Sequence, residues 1–351
     1  MRIALDAMGG DHAPQDPVRG AQSAIEELGD SFEIILVGRE TDLRAILNAH
    51  GGSTERLHVH HAPDVIAMDD LPAAALRRKR RSSITVGLEL LRDGRAEAFV
   101  SAGHTGAVMA GALVTLGRIE NIARPAIVTI FPTRELPCLV LDVGANVESK
   151  PEHLVQFAIM GHIYARDVLG RTRPRVGLLS IGEEPSKGND LTVATHRLLL
   201  KSGLNFIGNV EGRDLLKGAA DVVVCDGFVG NVLLKFGESF VDFLSDTIRE
   251  ETRKRRVAAL GALLMRPVFA SLRRRMDYAE YGGAPLLGVN GVVIIAHGGS
   301  SVKAFRSAIG VARLAAERKL NRRIESAVGA YVGETATEEP VPAATFGKEG
   351  A

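Results

Sequence analysis

Met1-Arg-Ile-Ala-Leu-Asp-Ala-Met-Gly-Gly-Asp-His-Ala-Pro14 opens the chain and reads as a strand running through a loop into a helix. Ile3 to Leu5 is the short apolar strand. Asp16 is placed to cap the following helix, with Pro17 at its first position, where a missing N–H costs nothing. The intervening loop, Asp6 to His12, exposes backbone amides beside titratable side chains, an arrangement suited to an anion. The same residues also read as an ordinary first turn of a βα unit.

The pattern repeats along the chain. Apolar runs at Phe32 to Val37, Ala98 to Val100, Ala126 to Phe131, Cys138 to Leu141, Val176 to Ile181, Phe206 to Val210, Val222 to Cys225 and Val292 to Ala296 read as buried strands. Helices are predicted at Pro17 to Leu28, Thr41 to Ala49, Ser83 to Arg92 and Asp190 to Ser202, each stopped by Gly29, Gly51, Gly94 or Gly203. The alternation implies an α/β fold, a largely parallel sheet with helices on both faces. Strand ends carry glycine-bearing polar loops: Asp6 to His12, Ser101 to Gly106, Asp142 to Asn146, Gly182 to Asn189, Asp226 to Asn231 and His297 to Ser300. Ligands of open α/β sheets bind beyond strand carboxyl ends, so these loops are expected to gather around one cleft.

Composition narrows the function. The 351 residues carry 43 Lys and Arg against 42 Asp and Glu, a net charge of +1, which does not nominate nucleic acid as a partner. Cys138 and Cys225 lie in apolar runs and suit buried, reduced thiols. With no basic leader ahead of a long apolar segment, the expectation is a cytoplasmic protein. No two glycines are separated by a single residue and no Gly-Lys-Ser/Thr occurs, so the dinucleotide and P-loop signatures are missing. The loops instead supply amides, Asn146, Asn189 and Asn231 as neutral donors, Lys187 as a cation, and His12, His104 and His297 as proton carriers. That set suits a phosphate and an oxyanion. His58, His60 and His61 alternate like a surface strand, and no metal site or cofactor is expected.

Taken together, Asp6-Ala-Met-Gly-Gly-Asp-His-Ala-Pro14, Ser101-Ala-Gly-His-Thr-Gly106, Asp142-Val-Gly-Ala-Asn146, Glu184-Pro-Ser-Lys-Gly-Asn189 and Asp226-Gly-Phe-Val-Gly-Asn231 resemble the bacterial phosphate acyltransferase family (PlsX). The resemblance runs from residue 1 to about residue 330. It implies transfer of a fatty acyl group from acyl carrier protein to inorganic phosphate, giving acyl phosphate for phospholipid (phosphatidic acid) synthesis. It implies a homodimer and a fold similar to isocitrate dehydrogenases and phosphotransacetylases, with two intertwined lobes sharing one mixed sheet. It also implies catalytic roles for Lys187, holding phosphate and offsetting charge, and for Asn231, donating to phosphate or oxyanion. Asp6, Gly9, Gly10, His12, Gly103, His104, Thr105, Asn146, Asn189, Asp226, Gly227 and Gly230 are the expected phosphate and thioester contacts, with His104 the candidate for proton delivery. Read without the family, Lys187 is equally a solvated loop lysine, Asn231 an N-cap, and Cys225 an inert buried thiol rather than an acyl carrier.

Two cationic stretches stand apart. Arg77-Arg-Lys-Arg-Arg81 is either a solvated basic face or a dock for the acidic carrier protein through Arg77, Arg78, Lys79, Arg80 and Arg81. From Arg253 to Met276, arginines flank apolar pieces interrupted by Pro267, which predicts a helical hairpin inserted at about 250–280. Leu260, Leu263, Leu264 and Phe269 would face an anionic membrane, where a membrane glycerol-3-phosphate acyltransferase could take the product; a dimer-interface pair or a core hairpin are the other readings. Residues 1–331 are expected to form one two-lobed unit and 332–351 a disordered tail. The rival functions are a decarboxylating dehydrogenase on the same fold and a non-catalytic scaffold of lipid synthesis.

Overall fold

Burial on both faces is what the continuous apolar runs demand, and the strands meet it. A computed structural model describes residues 1–50, 55–254, 261, 264–269 and 282–337. The strands are β1 (Arg2–Asp6), β2 (Glu33–Gly38), β3 (Leu57–His61), β4 (Ala98–Ser101), β5 (Ala126–Phe131), β6 (Cys138–Leu141), β7 (Val176–Leu179), β8 (Phe206–Val210), β9 (Val222–Val224), β10 (Ala284–Leu287) and β11 (Val292–Ile295). The helices are α1 (Gln15–Glu27), α2 (Glu40–His50), α3 (Pro72–Arg78), α4 (Ser83–Arg92), α5 (Thr105–Thr115), α6 (Pro151–Asp167), α7 (Asp190–Leu199), α8 (Gly212–Leu215), α9 (Gly227–Lys254), α10 (Val302–Glu317) and α11 (Leu320–Thr337).

Alternate strand residues feed two cores. Ile3, Leu5, Leu36, Val100, Leu141, Val222 and Ile294 pack with Val18, Phe157, Tyr164, Phe305 and Val328 from α1, α6, α10 and α11. On the other face Ala4, Val37, Phe99, Val140, Val223 and Ile295 pack with Ala75, Ile84, Leu88 and Val108 from α3, α4 and α5. Period-two alternation puts successive side chains on opposite faces, so one sheet serves both layers.

The sheet has eleven strands in the order β3-β2-β1-β4-β11-β10-β5-β6-β9-β7-β8. It is mixed and largely parallel, as the resemblance implied. β10 runs antiparallel to both β11 and β5, and β5 antiparallel to β6. The strands β1, β2, β3, β4 and β11 therefore share one direction, and β6, β9, β7 and β8 run in the other. The loops after β1, β4 and β11 leave one edge, and those after β6, β7 and β9 leave the opposite edge. The single gathering of loops expected from an all-parallel sheet is thus replaced by two groups. β10 itself escapes a sequence reading because it is four residues long and contains Pro285. Its first half pairs with β11 and its second half with β5, so the proline interrupts neither ladder fully.

Other corrections are local. Asp16 does not cap α1: the helix starts at Gln15 with Pro14 in the N-cap position and no side-chain cap, and Asp16 N–H already donates to the His12 carbonyl. Asp16 instead sits in the first turn, where its charge favours the positive helix end. The tail does not begin at 332, since α11 continues to Thr337, docked through Ile324 and Val328; residues 338–351 lie outside the described residues. So does most of the predicted hairpin, including Leu260 and Leu263. Within it Leu264 is exposed and Phe269 half-buried. Among the described residues no helix is long and apolar enough to cross a membrane, and no His/Cys/Asp/Glu group could hold a metal ion. Cys138 and Cys225 are free and buried, and burial pushes the Cys138 thiol up to about 12.

Candidate active site

At the end of β1, Asp6 is almost fully buried and organises the first wall. Its Oδ2 accepts the Ser101 hydroxyl at 2.7 Å and its Oδ1 the Met8 N–H at 3.0 Å, while Ser101 Oγ accepts the Gly103 N–H at 3.0 Å. This closeness requires glycine at position 9, where a Cβ would lie 2.5 Å from Asp6 Oδ2 and 2.6 Å from the Gly103 nitrogen. Burial raises the Asp6 carboxyl above the usual carboxylate range, opposed by the hydroxyl and amide donors. Asp11 N–H donates to the Gly298 carbonyl at 2.8 Å, bringing in the loop after β11, where Gly10 lies close to the same carbonyl. His104 caps α5, its Nδ1 accepting the Gly106 N–H at 3.1 Å. The neutral ring then carries its proton on Nε2. His12 and Thr105 are exposed and His104 half-buried, so these side chains, not Asp6, are presented outward.

Asp142, after β6, does the same for the second wall. Its carboxylate accepts N–H groups from Ile127, Gly144, Ala145 and Asn146 and the Asn146 side-chain amide, at 2.7–3.2 Å. Burial raises its carboxyl as well, against those donors. Asn146 gives its remaining amide hydrogen to the Pro125 carbonyl at 2.7 Å, and its own carbonyl accepts the Gly227 N–H at 3.0 Å. Asn146 thus holds the wall together and is 8% exposed. The start of α9 lies against this loop so tightly that a Cβ on Gly227 would approach the Asn146 oxygen to 2.4 Å. Asp226 caps α9, accepting from Phe228 and Val229 N–H at 3.0 Å each. That settles Asn231: it is not an N-cap but an exposed residue of the helix's second turn, its amide beside Gly144.

The loop after β7 completes this wall. Lys187 N–H donates to the Glu184 carbonyl at 3.0 Å and the Lys187 carbonyl accepts the Ser180 hydroxyl at 3.0 Å. Asn189 caps α7 through its side-chain oxygen, and Gly188 adopts a φ of 112° that favours glycine. Lys187 is exposed and its ammonium makes no ion pair among the described residues. Between this loop and α9 opens a cleft of about 640 Å³. Its walls are Leu154, Leu179, Ile181, Val229, Leu233 and Phe236, with Ser180, Asn189 and Asp226 as polar rim.

The structure therefore gathers Lys187, Asn189, Asp226, Gly227, Gly230, Asn231 and Asn146 beyond the ends of β6, β7 and β9, and Asp6, Gly9, Gly10, His12, Gly103, His104 and Thr105 beyond the ends of β1 and β4 on the opposite edge. Asp6, Asn146 and the glycines shape the backbone; Lys187, Asn231, His12 and His104 offer free polar groups. Sequence reading missed the apolar cleft, because its walls come from α6, β7 and α9, which are distant in the chain, and it missed Ser180, which follows an ordinary apolar strand. Cys225 borders the cleft, but burial pushes its thiol well up and its Sγ–H is turned to the Asp142 carbonyl at 3.5 Å, as fits an inert thiol. In the basic stretch, Arg77 and Arg78 end α3 and Lys79 caps it. Asp70 engages Lys79 and, at 3.7 Å, Arg78, which leaves Arg77, Arg80 and Arg81 as the outward charges. His58 on β3, the surface strand the alternation suggested, lies 3.3 Å from Glu33 on β2.

Comparison with known proteins gives a consistent picture. A family profile described as fatty acid synthesis protein matches residues 1–323. The phosphate acyltransferase of Heliobacterium modesticaldum is 57% identical over 314 residues, covering 89% of this chain and 93% of that protein. A phosphotransacetylase from Streptococcus pyogenes superposes with a TM-score of 0.61 at 19% identity, covering 90% and 94% of the two chains. A 4-hydroxythreonine-4-phosphate dehydrogenase from Klebsiella pneumoniae shares the fold at a TM-score of 0.52 and 12% identity, covering 90% and 97%.

Proposed function

The chain belongs to the fatty acid synthesis protein family, whose relatives are phosphate acyltransferases, and from that premise we propose that it moves a fatty acyl group from acyl carrier protein thioester to inorganic phosphate. The observation that carries this reading is a Lys187 ammonium with no ion pair among the described residues, on the loop that rims an apolar cleft. The cleft suits an aliphatic chain, and the ammonium suits a dianion. A phosphate group's second pKa is about 6 in its esters, so the dianion is nucleophilic near neutrality and needs positioning more than a base. Its oxygen attacks the thioester carbonyl, the oxyanion forms beside Lys187 and Asn231, and collapse breaks the C–S bond. The thiolate leaves with the electron pair and takes a proton from solvent or from His104 Nε2. Sheet twist of about 20–25° per strand turns β9 by roughly 120–150° relative to β1. This counteracts the reversal of direction, and we therefore place both walls on one cleft, within a single two-lobed unit. Free-thiol release from acyl carrier thioester tests the reading. It should require phosphate; release that ignores phosphate, or none at all, would overturn it and leave the dehydrogenase or scaffold.

The acyl carrier is acidic, and we read its dock as Arg77, Arg80 and Arg81 with the exposed Met68 and Leu71 beside them. Pro72, at the start of α3, lies against Gly106 in the first wall, so a carrier bound there reaches the site. Arg80→Glu with Arg81→Glu should raise KM for the carrier substrate about tenfold at low salt, with the difference shrinking as salt screens it. An unchanged KM across salt concentrations would refute the dock.

The face of α9 that lines the cleft continues along the helix, exposing Phe228, Val232, Phe236, Phe240 and Phe243, and the rings of Phe236 and Phe240 stack at 6.1 Å. So large an apolar stripe supports a homodimer, and the exposed Leu264 and Val268 farther along support contact with anionic membrane, where the product would reach a glycerol-3-phosphate acyltransferase. Phe240→Glu should sediment as a single chain, and Leu264→Glu should keep its mass while losing co-sedimentation with anionic vesicles. A dimeric Phe240→Glu, or vesicle binding retained in Leu264→Glu, would reject the respective reading.

A further inference from the structure

His196 on α7 and Asn209 on β8 are polar residues buried to 5% and 7% exposure, and the chemistry above uses neither. His196 Nδ1 lies 2.9 Å from Asn209 Oδ1, and Asn209 Nδ2 donates to the Glu184 carbonyl at 2.9 Å. Because a carbonyl only accepts, the amide must turn its NH2 toward Glu184 and its oxygen toward the imidazole. His196 therefore donates from Nδ1. Its ring is held edge-on against Phe206, with centroids 5.1 Å apart.

The Glu184 carbonyl is also the acceptor for Lys187 N–H, closing a turn over Glu184-Pro-Ser-Lys187. Pro185 occupies the second position of that turn, where its fixed φ stiffens the backbone. One buried chain of hydrogen bonds thus runs from an imidazole in the core, through an amide, to the carbonyl that fixes where the Lys187 backbone leaves the loop. Burying two polar side chains disfavours folding unless every group is satisfied, and apolar residues could fill the same volume. What the polar pair adds is a directed donor at one carbonyl.

We propose that His196 and Asn209 are positioning residues that set the reach of the Lys187 ammonium by anchoring the Glu184 carbonyl. The proposal rests on the reading of Lys187 given above. His196→Phe keeps the ring volume and removes the donor, His196→Asn restores a donor at the Nδ1 position, and Asn209→Asp replaces the NH2 that donates to Glu184 with a carboxyl oxygen that, when ionised, repels that carbonyl. In the full-length enzyme, His196→Phe and Asn209→Asp should lower kcat/KM for phosphate by about 10–100-fold with KM for the thioester unchanged, the size expected of a slightly misplaced group. His196→Asn should recover most of the loss, and amide exchange across 182–189 should speed up in the damaged variants.

In a Lys187→Ala background the same substitutions should add nothing further. Full activity in the damaged variants, losses that multiply with Lys187→Ala, or His196→Asn no better than His196→Phe would overturn the relay. If Asn209→Asp does not fold, the two His196 variants decide. Unchanged exchange across 182–189 in those variants overturns the relay whichever residue carries the chemistry, whereas a fully active Lys187→Ala overturns the reading of Lys187 and not the anchoring.

Discussion

Lys187→Ala is expected to lower phosphate-dependent thiol release by about 100-fold or more, the size of losing one preorganised charge stabiliser. Two contacts fix the Lys187 residue in its loop. Its backbone is tied at both ends, by the Glu184 carbonyl and the Ser180 hydroxyl, while its ammonium has no carboxylate partner among the described residues. A cation held in place but left unneutralised is available to a dianion and to the oxyanion that follows. The loss should fall on kcat as well as on KM for phosphate, because charge on the carbonyl oxygen develops only in the transition state. Lys187→Arg keeps the charge but changes its shape and reach, and should recover part of the activity. If Lys187→Ala turns over at the wild-type rate, Lys187 is a solvated loop residue and the charge must be offset elsewhere.

Gly230→Ala should be nearly as damaging, through structure. Helix propensity alone predicts a gain of about 1 kcal/mol for alanine. Contact predicts the reverse: a Cβ at position 230 would lie 1.9 Å from the Asp142 carbonyl oxygen and 3.0 Å from Cys225 Sγ. Neither neighbour is a flexible side-chain end, so α9 must lift off the Asp142 loop. Overpacking of this kind costs about 3 kcal/mol, which outweighs propensity, leaves a net loss of about 2 kcal/mol and should lower Tm by about 3 °C for a chain of this size. Activity should fall further, because Asn231 moves with the helix. Gly237→Ala on the same helix is the control, since its nearest atom, on Phe131, is at 3.5 Å, an ordinary contact. A Gly230→Ala protein as stable as the Gly237→Ala control would show that the helix is not seated as described.

Both predictions rest on groups of different legibility. Lys187 and the loop around it could be read from the chain, because a polar glycine-bearing turn after a buried strand is a local pattern. Helix α4 was readable for a similar reason, with Ser82 as cap, Ser83 to Arg92 as body and Gly94 as stop. The need for glycine at 227 and 230 was visible only as motif. Its cause, the approach of α9 to the carbonyls of Asn146 and Asp142, joins segments about 80 residues apart. Asp6 is a further case: a loop carboxylate beside glycines looks like a ligand in sequence, and in the structure its oxygens serve Ser101 and Met8. Asn231 moved the other way, from a cap to an outward-facing donor, once Asp226 was seen to satisfy the helix end.

Sequence alone determined the α/β class and the family, and it singled out the glycine-bearing loops at the strand ends, because hydrophobic period, caps and glycine stops are properties of neighbours along the chain. Tertiary structure decided how those loops are shared out. Strand direction is set by hydrogen-bond pairing, and here β10, antiparallel to both β11 and β5, leaves those two running the same way, so the antiparallel β5–β6 pair is what reverses half the sheet and sends the loops to two edges. No local pattern in Ala284-Pro-Leu-Leu287 announces the strand that joins the two halves, since its ladders are completed only by β11 on one side and β5 on the other.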